Sequence, residues 1–201
     1  MRTSQTLWII IFLTVLVWSG IEPHDYPTWG LEVGPAIIVA AILWITRERF
    51  PLTRLAYILI LIHAVILMVG GHYTYAEVPI GEWLREAFDQ TRNNYDKLGH
   101  LAQGFIPAII AREILIRYRV VNFPSWRNFL IVCVCLAISA MYELIEWWVA
   151  LLSGEAAEAF LGTQGYVWDT QSDMWLALLG AVSALILLSG LHDRHLLRVS
   201  A

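Results

Sequence analysis

Polar residues that could do chemistry are concentrated in three short segments of an otherwise apolar chain. The first segment contains Asp96, Lys97 and His100, and Gln103 follows one helical turn after the histidine. Lys97 is the only lysine, and the other 12 of the 13 basic residues are arginines. Residues three apart on a helix share a face, so we expect the side chains of His100 and Gln103 to contribute to the same site. An alternative role for Asp96 is to cap the start of this helix.

The second segment lies late in a long apolar stretch and contains Ser139, Tyr142, Glu143 and Glu146. Spacings of three and four residues place these side chains on one face of a helix. An acidic side chain near the centre of a membrane span costs about 2.5–3.5 kcal/mol, so Glu143 needs a partner. The alternatives are a buried structural hydrogen bond for Glu143 and a position at the membrane interface for Glu146.

The third segment opens the last apolar stretch and contains Asp169, Gln171 and Asp173. The two aspartates are one helical turn apart and project from the same face. A helix cap is the competing interpretation, in which Asp169 or Thr170 caps the helix and Asp173 answers Thr170 as in a capping box.

These segments must be positioned by helices that cross a membrane. Hydrophobic residues make up 58% of the 201 residues and charged residues 15%, against about 25% charged residues in soluble domains. A spanning helix needs about 20 mostly apolar residues. Six stretches qualify, at roughly 5–21, 30–46, 53–71, 98–116, 129–152 and 170–190. Because backbone groups in lipid must be satisfied within each helix, the composition predicts an all-α transmembrane bundle in which residues 1–201 form a single domain.

Loop charges predict that both termini are cytoplasmic. In this orientation 10 of the 13 basic residues face the cytoplasm, and only Arg85, Arg92 and Lys97 lie outside. An excess of basic residues on the inside is the pattern that sets the orientation of membrane proteins. Between the third and fourth spans, residues 79–95 predict a short amphipathic helix with Trp83 on its apolar side. A helix of this kind is expected to lie flat on the outer surface of the bilayer.

This topology places all three polar segments at one depth, in the outer leaflet, where His72 at the outer end of the third span joins them. Imidazole and carboxylate groups suit a divalent cation. The predicted metal ligands are His72, His100, Glu143, Asp169 and Asp173. Without a metal, acids in a poor dielectric serve as proton shuttles or as general acid and base. The predicted catalytic residues are His100, Glu143, Glu146 and Asp173. The predicted contacts to a cofactor or phosphorylated headgroup are Lys97, Gln103, Tyr142 and Gln171.

Four runs of the sequence carry a resemblance to known proteins: Gly70-Gly71-His72-Tyr73-Thr74-Tyr75-Ala76-Glu77-Val78-Pro79, Asp96-Lys97-x-x-His100, Tyr142-Glu143-x-x-Glu146 and Trp168-Asp169-Thr170-Gln171-Ser172-Asp173. Together they resemble the bacterial YjdF-type inner-membrane proteins, over most of the chain after about residue 50. The last three spans are also similar to the wider VanZ-like group, although Glu146 and Asp173 stand where that group has Gln and Asn. The resemblance implies a location in the bacterial inner (cytoplasmic) membrane and the positions of a site, but no reaction.

The leading functional hypothesis is a multi-pass membrane protein whose outward-facing polar pocket binds a divalent metal ion or a phosphorylated lipid headgroup. The headgroup would belong to a phospholipid or a polyprenyl phosphate, and the protein would act on a lipid of the cell envelope. One alternative is a proton-coupled carrier in which Glu143 and Glu146 alternate protonation. Another is a non-catalytic partner of a second membrane protein. The sequence contains no basic stripe, which argues against a nucleic-acid partner, and it leaves open whether the protein is an enzyme.

Overall fold

The computed structural model describes residues 2–153 and 164–199, and within these ranges the chain forms helices and turns but no strand. In chain order the helices are α1 (Arg2–Ser19), α2 (Tyr26–Thr46), α3 (Arg54–Tyr73), a 3₁₀ turn (Tyr75–Glu77), α4 (Pro79–Ala87), α5 (Tyr95–Arg117), α6 (Pro124–Ser153) and α7 (Asp169–Val199). The predicted all-α class is confirmed.

Four helices in the described part of the chain are long and apolar enough to cross a membrane, namely α2, α3, residues 124–152 of α6, and α7. In α1 the apolar stretch is the shorter Ser4–Ser19. α5 has 23 residues, but Asp96, Lys97 and other charged residues interrupt its apolar sequence. Length and composition therefore support four spans. The further spans expected at α1 and α5, and the cytoplasmic position of both termini, stay predictions.

α5 lies at the centre of the bundle, where it packs against α3, α6 and α7. α3 packs in turn against α1 and α2. The α3–α5 contact thus joins one group of helices, α1 to α3, to a second group, α5 to α7. α2 and α6 lie on either side of the joined pair and have little direct packing with each other. A groove is therefore left between α2 and α6, with α3 and α5 as its floor.

α5 and α7 run parallel and approach so closely that the crossing requires glycine. A Cβ atom on Gly104 would overlap the carbonyl oxygen of Ala177, and one on Gly180 would overlap the backbone of α5. Small residues allow helix backbones to approach each other in this way within membranes. His100 lies one turn before this crossing on α5, and Asp173 lies one turn before it on α7. The crossing therefore holds these two side chains opposite each other.

The predicted amphipathic helix is present but is shorter than residues 79–95. α4 ends at Ala87, and Asp89 takes a left-handed backbone conformation with a φ of 49°. A left-handed residue cannot continue a right-handed helix, so the chain turns before α5 begins. Trp83 and Phe88 are 62% and 69% exposed. Exposed aromatic side chains on a short amphipathic helix are typical of a segment that lies in the membrane interface.

A buried polar network joins the helices at the end of α5 that is opposite to His100. Glu113 is fully buried and accepts hydrogen bonds from the Thr53 amide at 2.8 Å and the Thr53 hydroxyl at 2.7 Å. His192 Nε2 lies 3.1 Å from Glu113, and Arg112 donates to His192 Nδ1 at 3.0 Å. Such a connected network stabilises one arrangement of α3, α5 and α7, and we assign it a structural role.

Candidate functional site

His100 lies in the second turn of α5 and is the centre of a buried polar cluster. Its Nδ1 is 3.1 Å from Gln103 Oε1. Its Nε2 is 3.2 Å from Asp96 Oδ1 and 3.9 Å from Asp173 Oδ2. Helical spacings of three and four residues put Asp96 and Gln103 on the same face of α5 as the imidazole, and the close crossing with α7 adds Asp173. His100 is only 6% exposed.

Two basic side chains face the aspartates of this cluster. Lys97 Nζ lies 2.7 Å from Asp173 Oδ1 and 3.0 Å from Asp169 Oδ1. Arg92 donates to Asp169 Oδ1 at 2.6 Å and to Asp96 Oδ2 at 3.3 Å. Each aspartate therefore has a cation beside it, and this attraction offsets part of the cost of burying the charges.

Glu143 Oε1 and Ser139 Oγ, in the second half of α6, are both buried without a hydrogen-bond partner among the described residues. The two residues are one helical turn apart, so both project from the same face of α6. Glu143 is 8% exposed, and its Oε1 lies 3.8 Å from His100 Nδ1. Most buried polar groups in proteins have a partner. These atoms are therefore candidates for contact with a bound water, ion or ligand.

A cavity of about 400 Å³ fills the groove between α2 and α6 and reaches the cluster. Its polar end is lined by Glu32, Tyr75, Asp96, His100, Gln103, Tyr142 and Glu146. Away from that end the lining is apolar apart from His63, with Val39, Ile60, Ile106, Ile110, Val134 and Ile138 among its residues. The Tyr142 hydroxyl donates to Glu32 Oε2 at 3.1 Å. This hydrogen bond connects α6 to α2 across the polar end of the groove.

Most of the residues predicted for the site lie close together. His100, Gln103, Glu143 and Asp173 form the centre of the cluster. Lys97 and Asp169 form an ionic border around it, and Tyr142 and Glu146 line the cavity. Asp96 does not have the alternative capping role, because its carboxylate faces His100. The same holds for Asp173, because its carboxylate faces Lys97.

Two predicted site residues lie apart from the cluster. His72 Nδ1 is 3.2 Å from the carbonyl oxygen of Ser19, and its ring packs on Trp18 with a centroid distance of 4.5 Å. Gln171 is exposed near the start of α7. Residues at one depth in a membrane can project from different sides of a bundle, so a shared depth did not imply a shared site for these two.

Four residues of the site are absent from the predicted catalytic, binding and metal-ligand sets. Asp96, for which a helix cap was the alternative, lies beside His100. Glu32 is 3% exposed, and its position as a single acid within the second apolar stretch was a signal that sequence could have supplied. Tyr75 packs where a Cβ on Gly70 or Gly99 would meet its ring at 2.6 and 3.1 Å. Arg92 lies in the turn before α5 and reaches Asp169 only because of the tertiary path of the chain.

Comparison with known proteins gives a family but no fold template. Residues 4–194 match a family model described as a predicted membrane protein (DUF2238). Over 184 residues the chain is 56% identical to the Inner membrane protein YjdF of Escherichia coli (strain K12), an alignment that covers 92% of this chain and 88% of that protein. No solved structure matches the chain. The similarity to the VanZ-like group stays a prediction.

Proposed function

The chain belongs to the DUF2238 family of membrane proteins. From this premise we propose that it works within the bilayer and binds a membrane amphiphile in the groove between α2 and α6. The bound headgroup would face the cluster around His100. The predicted relationship to the YjdF-type proteins and the predicted location in the bacterial inner membrane are confirmed by the similarity to the Escherichia coli protein. The family description names no activity.

One observation carries the proposal: the cavity is polar at one end and apolar along the rest of its length. A cavity of about 400 Å³ lies within the range of about 300–1,000 Å³ that is typical of small-molecule sites. A soluble polar ligand would leave the apolar part unused, and a hydrocarbon would leave the buried acids without partners. A molecule with a polar headgroup and an apolar chain matches both parts.

The gap between α2 and α6 supplies a route for such a molecule to enter. Ile114, Val134 and Ile138 line the cavity and are 39%, 42% and 42% exposed, so the α5–α6 wall of the groove lies at the surface of the bundle. An acyl chain of a membrane lipid could therefore enter the groove laterally from the bilayer. The hydrogen bond between Tyr142 and Glu32 crosses the groove at its polar end, where the headgroup is proposed to bind.

The polar end favours a headgroup that donates hydrogen bonds. Glu32 and Glu146 line the cavity with carboxyl groups, whose oxygens can accept hydrogen bonds whether the group is ionised or protonated. Lys97 already contacts two aspartates, Asp169 and Asp173, so a phosphate on Lys97 would have to displace one of them. An amine or a hydroxyl group therefore fits the lining better than a bare phosphate, unless a cation accompanies the phosphate.

The proposed chemical roles follow from position in the cavity. His100 lines the cavity and presents its imidazole to the polar end where a headgroup would bind. Glu146 lines the same end and contacts the headgroup directly. Glu143 and Asp173 flank the two ring nitrogens of His100, Nδ1 at 3.8 Å and Nε2 at 3.9 Å, where they orient the imidazole.

Photocrosslinking tests the proposal. The protein is reconstituted in nanodiscs with a phosphatidylethanolamine that carries a diazirine on one acyl chain, and labelled peptides are identified by mass spectrometry. We expect labels concentrated on the groove-facing positions of α2, α3, α5 and α6. Ala111→Phe fills the apolar part of the groove and should reduce this labelling several-fold. Ala41→Phe, an exposed position of α2 outside the groove lining, is the matched control and should leave the labelling unchanged.

The labelling also tests the headgroup. A phosphatidylcholine analogue keeps the phosphate and the positive charge but lacks hydrogen-bond donors, and it should label the groove less than the amine does. Labels spread evenly over the lipid-facing surface, with no effect of Ala111→Phe, would contradict binding in the groove.

A specific feature of the fold favours binding over transport. Carriers usually place their substrate and coupling-ion sites near the bilayer midplane, whereas the polar lining of this groove is concentrated at one end. The groove lining becomes apolar beyond Gln103 apart from His63, and the Glu113–His192 network joins α5 to α7 at the opposite end. The carrier in which Glu143 and Glu146 alternate protonation, and the role as a partner subunit, stay predictions.

A further inference from the structure

The hydrogen bond from His100 to Gln103 determines where the free lone pair of the imidazole points. Gln103 Oε1 lies 3.1 Å from Nδ1, and an amide oxygen only accepts hydrogen bonds. Nδ1 therefore carries a hydrogen, and loss of the second ring hydrogen, which metal binding would displace, leaves the lone pair on Nε2. That atom faces Asp96 Oδ1 at 3.2 Å and Asp173 Oδ2 at 3.9 Å. Three electron-pair donors thus converge on one small space.

The other oxygen of each aspartate is held by a basic side chain. Arg92 donates to Asp96 Oδ2 at 3.3 Å, and Lys97 donates to Asp173 Oδ1 at 2.7 Å. The cations therefore turn one oxygen of each carboxylate away and leave Asp96 Oδ1 and Asp173 Oδ2 directed at His100. Outer partners of this kind, including the Gln103 amide on Nδ1, are what orient the ligands of protein metal sites.

We propose that Asp96, His100 and Asp173 form a binding site for a divalent transition-metal cation, with Zn²⁺ or Mn²⁺ as the class of ion. Donor atoms of these three residues all lie within 4.8 Å of one another. Metal–ligand bonds of about 2.0–2.2 Å at tetrahedral angles put donor atoms about 3.3–3.6 Å apart, so small side-chain adjustments suffice. One imidazole nitrogen with two carboxylate oxygens favours these ions, whereas Ca²⁺ and Mg²⁺ prefer oxygen ligands alone.

A buried carboxylate oxygen on α6 lies beside the other ring nitrogen of His100. Glu143 is 8% exposed, its Oε1 has no hydrogen-bond partner among the described residues, and that atom lies 3.8 Å from His100 Nδ1. Glu143 therefore adds a negative charge next to the site without belonging to the proposed ligand set. Asp96 and His100 also line the cavity, so a coordination position left open by the protein faces the groove. Coordination of a headgroup at this open position rests on the proposed function, whereas metal binding itself does not.

Metal titration tests the site. Full-length protein in detergent is stripped with a chelator, and Zn²⁺ binding is measured by competition with a chromophoric chelator. We expect one ion per chain and at least a tenfold loss of affinity in Asp96→Asn and in Asp173→Asn. Glu86→Gln is the matched control, because Glu86 is an exposed acid on α4 outside the proposed ligand set, and it should keep the wild-type affinity. Affinity that is equal in all four proteins, or no stoichiometric binding, would overturn the proposal and leave an ion pair of protonated His100 with the aspartates.

A spectroscopic measurement keeps the test valid if an aspartate variant fails to fold. Mn²⁺-loaded wild-type protein labelled with ¹⁵N-histidine should show electron–nuclear coupling to one imidazole nitrogen by pulsed electron paramagnetic resonance. The coupling should disappear in His100→Ala and persist in His63→Ala, since His63 lines the apolar part of the same groove. A coupling that survives His100→Ala would overturn the assignment. Absence of metal binding in wild-type protein whose groove is still labelled by the photoreactive lipid would refute the metal site alone and leave the amphiphile proposal standing.

Discussion

Lys97 is the residue whose removal should disturb the polar cluster most. Its Nζ lies within 3.0 Å of Asp169 and Asp173, and its side chain is 19% exposed while theirs are 9% and 4% exposed. In Lys97→Met a side chain of similar length remains, so the change removes the charge and leaves little empty space. Asp169 keeps Arg92 as a counter-charge, whereas Asp173 loses its hydrogen bond to a cation.

The expected loss of stability follows from the burial of the aspartates. Removing one partner of a buried ion pair costs about 3–5 kcal/mol, and the partial exposure of Lys97 places the expected value near the lower end, at about 3 kcal/mol. In a domain of this size about 1 kcal/mol changes the melting temperature by about 2–4 °C, so we expect Lys97→Met to melt about 6–12 °C below the wild type. The double variant Lys97→Met/Asp173→Asn should regain part of this loss, because the unpaired carboxylate is removed as well.

Thermal unfolding in detergent, followed by the intrinsic fluorescence of the 10 tryptophans, measures these differences. Lys97→Arg keeps the positive charge and serves as the control, with a smaller fall in melting temperature. Equal melting temperatures of Lys97→Met and the wild type would contradict the buried ion pairs of Lys97 with Asp169 and Asp173. The same conclusion would follow if adding Asp173→Asn to Lys97→Met lowered the stability as much as Asp173→Asn does alone.

Three further substitutions test other parts of the structure. Gly104→Ala places a Cβ against the backbone of α7 and should lower the free energy of unfolding by about 1–3 kcal/mol in the same assay. Gly190→Ala, where the space is open, is the control and should not destabilise the protein. Equal melting temperatures of the two variants would refute the close crossing. His192→Ala leaves the buried Glu113 short of a donor and should cost about 1–3 kcal/mol; wild-type stability would show that the network is not structural. Tyr142→Phe removes the hydrogen bond that joins α6 to α2 across the groove, so the diazirine lipid should label the groove faster. An unchanged rate would show that this hydrogen bond does not restrict entry.

Helical spacing made much of the site predictable. His100 and Gln103 on α5, and Glu143 on α6, project toward a common centre because residues three or four apart share a helix face. The alternation of helix directions then brought the start of α7, with Asp173, to the same end of the bundle. These steps need only apolar stretch lengths and the geometry of a helix, both of which can be obtained from the sequence.

The remaining features depend on tertiary contacts that spacing does not specify. The rotation of α3 about its own axis decides that His72 packs on Trp18 rather than joining the cluster. The choice between a cap and an ion pair for Asp96 depends on Arg92, which a turn brings close to it. The predicted amphipathic helix was too long because the left-handed backbone at Asp89 has no clear signature in a polar segment.

Magnetic resonance distances in bilayers test the central claim most directly, which is that side chains from α5 and α7 meet at His100. Protein labelled with ¹⁵N-histidine and ¹³C-carboxyl aspartate should show dipolar coupling between His100 Nε2 and the carboxyl carbons of Asp96 and Asp173, whose oxygens lie 3.2 and 3.9 Å from that nitrogen. Each coupling should disappear in the corresponding Asp→Asn variant. A His100 Nε2 signal that couples to neither aspartate in folded wild-type protein would contradict the convergence on which the proposed groove chemistry and the metal site both depend.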